Sequence, residues 1–101
     1  MGSVRVVLLE PQGSATWKVG SVHSFRVGLG CIGVPAGIAE IEFDPKIFTL
    51  IDSSQQVPLN AGTYERTITW ELKALVPAEA VTVPVLVSTG PAASAIITVI
   101  K

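Results

Sequence analysis

The chain alternates apolar and polar residues in short runs. A half-buried strand requires that period of two, because successive side chains point to opposite faces of a sheet. The clearest run covers residues 62–72, where Tyr64, Ile68, Trp70 and Leu72 share one face with Arg66, and Thr63, Glu65, Thr67, Thr69 and Glu71 take the other. Residues 21–29 repeat the pattern, with His23, Phe25, Val27 and Leu29 set against Val22, Ser24, Arg26 and Gly28. Further strands are expected at 4–9, 38–43, 46–51, 81–88 and 94–100, with a short extended piece at 16–19. Val81, Val83, Val85 and Val87 form the inner row of 81–88. Its neighbour offers two rows, Ile97 with Val99 or Ile96 with Ile100, and alternation does not choose between them.

Turn chemistry punctuates these runs. Glu10-Pro11-Gln12-Gly13 ends the first, Asp44-Pro45 interrupts another, and Thr89-Gly90-Pro91 separates the last two. Residues 30–37 hold three glycines and Pro35 and are expected as a connection, which places Cys31 where a strand leaves the sheet. Residues 52–62 are expected as a polar loop and 73–80 as a connector with at most one helical turn. Pro84 lacks the ladder donor, so its strand is expected at an edge or with a bulge there. About seven short strands separated by glycine and proline point to an all-β, two-sheet sandwich spanning residues 1–101 as one domain, with a barrel as the main rival.

Composition narrows the classes of function. A hydrophobic fraction of 49% argues against disorder, and the longest apolar run, 74–86, is interrupted by Pro77, Glu79, Thr82 and Pro84, so no membrane-spanning helix is expected. A formal net charge of −1 provides no basic footprint for nucleic acid. The lone Cys31 excludes an internal disulfide and is expected as a small buried filler. Met1-Gly2-Ser3 has no basic segment followed by an apolar core, so no secretory leader is expected at this start.

Few residues offer chemistry. His23 is expected as a hydrogen-bonded histidine at the core margin rather than a general base, because no acid and nucleophile accompany it. Glu40, Glu42 and Asp44 project from one side of a strand. A solvated face is the expected reading, with a calcium site as the alternative. Arg26 and Arg66 are expected to lay their stems over the core and pair with acids. Trp70 is expected in the core, with its ring N–H finding an acceptor. Trp17 fits either a core position or a cover over one open end. Trp17, Gln55, Gln56 and Tyr64 together are the candidate ligand or interaction surface. No catalytic residue, metal site or cofactor is expected.

Three stretches resemble known modules. Trp17-Lys18-Val19-Gly20-Ser21, with the alternating Phe25 and Val27 after it, resembles the opening of bacterial and archaeal immunoglobulin-like surface repeats. The segment from Ile68 through Trp70, Leu75, Val76 and Pro77 to Thr82 is similar to their penultimate-strand signature. Residues 38–48, with Asp44-Pro45, look like a strand and turn of cohesin-like domains. The resemblance implies an immunoglobulin-like sandwich in which Asp44 and Pro45 shape a strand end. It further implies a noncatalytic structural or spacer module of a larger exported, cell-surface protein or assembly, located outside the cell or in its envelope. Neighbouring domains or a protein partner would contact it, without nucleic acid and without membrane insertion. The alternatives are a glycan- or protein-binding adhesion or docking module and a virion decoration domain.

Overall fold

The alternating runs form nine strands in the computed structural model, which describes residues 2–88, 90 and 92–101. In chain order these are β1 (Ser3–Glu10), β2 (Ser14–Lys18), β3 (Val22–Val34), β4 (Gly37–Ile41), β5 (Phe48–Leu50), β6 (Gln56–Leu59), β7 (Gly62–Ala74), β8 (Ala78–Val87) and β9 (Ala92–Ile100). One sheet has the order β1-β3-β7-β5 and the other β2-β9-β8-β4-β6, so the architecture is an immunoglobulin-like sandwich and not a closed barrel. Among the described residues every pairing is antiparallel except β2 with β9. The chain reaches that position by switching sheets. β1 pairs with β3, the chain turns at Pro11 and Gly13, and β2 continues beside β9. Gly13 has φ +94, a conformation that a side chain would oppose.

The core lies between the sheets and follows the expected inner rows. Phe25, Val27 and Leu29 of β3 meet Ile68, Trp70 and Leu72 of β7 on one side, and Val83, Val85 and Val87 of β8 close the other. The inner row of β9 is Ala95, Ile97 and Val99, while Ile96 and Ile100 face outward. Trp70 is fully buried, and its ring N–H donates to the Ser54 carbonyl at 2.9 Å. Cys31 is a buried free thiol.

Four local expectations are corrected. β3 continues to Val34, so Cys31 lies within a strand; the glycine-rich composition is absorbed by a register shift between Cys31 and Val34, where Gly33 has φ +56. The expected polar loop contains β6, in which Val57 and Leu59 supply an inward row to an edge strand. The expected connector shrinks to residues 75–77, without a helical turn. Pro84 sits in an interior strand, and the bulge of β8 falls between Ala78 and Val81 instead. Its missing donor is tolerated because β4 ends at Ile41. Beyond that point a single bond from the Glu42 N–H to the Pro84 carbonyl, at 2.9 Å, completes the junction. Of the expected turn at 89–91, Thr89 and Pro91 lie outside the described residues, as does Met1.

Candidate functional site

Trp17, Gln55, Gln56 and Tyr64 occupy separate regions. Trp17 comes from β2 and reaches across to the opposite sheet. There it stacks on His23, with centroids 4.6 Å apart and planes 11° apart, and meets the edge of Phe48 at 5.8 Å. At 5% exposure it belongs to the core rather than to a surface. Its contacts lie near the Val22↔Lys73 end of the β3–β7 ladder, whereas Tyr64 lies near the Val34↔Gly62 end. Tyr64 is half-buried and its hydroxyl donates to the Asn60 carbonyl at 2.8 Å. Burial, and next the neighbouring Cys31 thiol, raise its phenol above the usual value. Gln55 and Gln56 are exposed. The Gln55 carbonyl accepts from the Ile41 N–H at 3.2 Å, and the Gln56 amide donates to Glu40 at 2.9 Å.

The remaining polar candidates are engaged structurally. His23 shares a 2.8 Å hydrogen bond with the Ser21 hydroxyl. Asp44 accepts from the Lys46 N–H at 2.9 Å, which ties the Asp-Pro turn, and Glu40 is held by Gln56. The three acids therefore do not converge, and no group of three His, Cys, Asp or Glu residues among those described is placed to hold a metal ion. Arg66 donates to the Pro58 carbonyl at 3.0 Å instead of pairing with an acid. Arg26 does face an acid, Glu10, at 3.9 Å, but both side chains are about half exposed and the pair contributes little.

The outer face of the four-stranded sheet carries a feature that residue type does not reveal. The outward positions of β3 include Gly28 and Gly30, which leave bare backbone in the middle of the four-stranded sheet. Arg5 and Val7 of β1 rise on one side and Glu65 and Thr67 of β7 on the other, around a shallow trough of about 930 Å³. The register sets these residues in ranks: Arg5, Gly30 and Glu65 lie side by side, then Val7, Gly28 and Thr67. Leu9 leans over Gly28, 3.6 Å from where a Cβ would stand, whereas a Cβ at Gly30 would meet only the Arg5 Cβ, at 3.9 Å. Two glycines at a spacing of two within an alternating run carry the signal for such a trough.

No protein-family model matches the chain, and no curated protein matches it. Architecture and surface chemistry alone therefore bear on function.

Proposed function

We propose that this chain is a noncatalytic structural spacer, a single module of residues 1–101 within a larger exported, cell-surface protein of the bacterial or archaeal immunoglobulin-like repeat kind. The observation that carries this reading is where the chain enters and leaves the sandwich. Ser3 pairs with Ile32 beside the Val34↔Gly62 end of the central ladder. At the other terminus, the Ile100 carbonyl accepts from Val19 at 2.8 Å, next to Gly20, whose N–H donates to Ala74 at the Val22↔Lys73 end. These two ends are about 36 Å apart at the usual rise per strand residue, in a body whose long axis is 46 Å. Copies joined head to tail would therefore extend along that axis. Several polar side chains support the reading as well: Asp44, Gln56, Tyr64 and Arg66 are bonded within turns and along strand edges.

The test is a tandem fusion of two and of three copies, examined by small-angle scattering. A spacer predicts that the maximum dimension grows by roughly one long axis per added copy while the melting temperature stays close to that of the single module. Folded copies that collapse side by side, with no growth in length, would remove the support.

A further inference from the structure

We propose that the outer face of the four-stranded sheet docks a second copy of this chain, face to face, about a two-fold axis running along β3. The rank Arg5–Gly30–Glu65 carries a cation on one side of bare backbone and an anion on the other, two strand spacings or about 10 Å apart. No ion pair joins Arg5 to Glu65 within the chain. A two-fold axis along the middle strand exchanges left for right and preserves position along the strand. It therefore sets Arg5 against Glu65 of the second copy, and Glu65 against Arg5 of the second copy, in a self-complementary interface.

The apolar residues follow the same symmetry. Ile32 is 62% exposed and lies over the axis, against its own counterpart, while Val7, 47% exposed, meets Thr67 of the second copy. Gly30 lets the two backbones approach at the pivot, while Leu9 covers Gly28 and adds an apolar group to the face. Further along, the two copies of Arg26 would face each other, but each already faces Glu10 at 3.9 Å. Stacked sheets also cross at about 30°, which carries the Arg26 pair apart away from the pivot at Gly30. A net charge of −1 per copy opposes association only weakly.

The contact area sets the strength. Three strands by about four ranks cover roughly 14 Å by 27 Å, or on the order of 1,000 Å² in total over both copies once relief is included. That is the threshold for a specific interface, so the dimer is reversible and concentration-dependent. Because this axis keeps the two strand directions parallel, the pairing is compatible with spacers standing side by side, but it does not depend on the spacer reading.

Sedimentation equilibrium across micromolar to millimolar concentrations tests the proposal with Arg5→Glu, Glu65→Arg and their equimolar mixture. Both positions are exposed, and unchanged thermal unfolding would verify the fold. The wild type is expected to dimerise, and each single reversal to weaken self-association by about tenfold or more. The mixture should associate again, because the reversed charges then meet opposite partners. A wild type that stays monomeric throughout would overturn the proposal. So would single variants that dimerise as well as the wild type, which would move the contact to the β1 edge or the other sheet, and so would a mixture no tighter than its components.

Discussion

The surroundings of the two tryptophans differ although both residues sit in alternating runs. Trp70 occupies β7 opposite Phe25 of β3, and β5 pairs with β7 only as far as Leu72; the ring is fully buried and its N–H is bonded to the Ser54 carbonyl in the loop after β5. Trp17 occupies β2, an edge strand of five residues, and is covered by His23 and Phe48 from the facing sheet. A strand and the loop after β5 thus flank the first ring, and two aromatic side chains near one end of the sandwich close over the second. Sheet position, more than residue type, sets how completely a large side chain can be enclosed and how far the surroundings can relax when it is removed.

Truncation should separate the two most sharply. Trp70→Ala is expected to cost about 3–5 kcal/mol, a large share of a small domain's stability, read from urea unfolding. A loss below that of Trp17→Ala would invert the comparison. Trp17→Ala should cost less, about 2–3 kcal/mol, because water can reach the vacated end. A full-size cavity penalty there would show that the end is as closed as the centre. Trp70→Phe removes the polar handle together with part of the ring. Loss of the bond to Ser54 and the small cavity left behind should together cost about 1–2 kcal/mol in the same measurement. No loss at all would mean that the ring N–H bond stabilises nothing beyond what water offers the unfolded chain.

Alternation makes the inner rows of β3, β7 and β8 legible in the sequence, because one buried face imposes a period of two on every strand. It also marks Trp70 as core. Pairing partners were not legible in this way: nothing within Ser14–Lys18 says that it lies parallel to Ile96–Ile100 rather than antiparallel to some other run. β6 was hidden because an edge strand needs only one apolar row, and Val57 and Leu59 stand among Gln55, Gln56, Pro58 and Asn60. Gly30 has the composition of a turn residue, and only the strand register reveals the trough it forms with Gly28. Trp17 could be placed only once the sheet opposite was known, since its partners His23 and Phe48 are distant from it or from each other in sequence. The candidate surface of Trp17, Gln55, Gln56 and Tyr64 rested on residue type alone, and residue type does not report proximity.

The sheet switch from β1 to β2 has a mechanical consequence. If the module is pulled by its two chain ends, the β1–β2 segment is drawn toward the end where Ser3 lies and β9 toward the end where Lys101 lies. The ladder from Ser14↔Ile96 to Lys18↔Ile100 then slides along its own length. Its hydrogen bonds run across the direction of load and must fail together rather than one after another like the teeth of a zip. A five-residue edge strand thereby becomes a clasp that resists stretching, although it would open readily if peeled from one end.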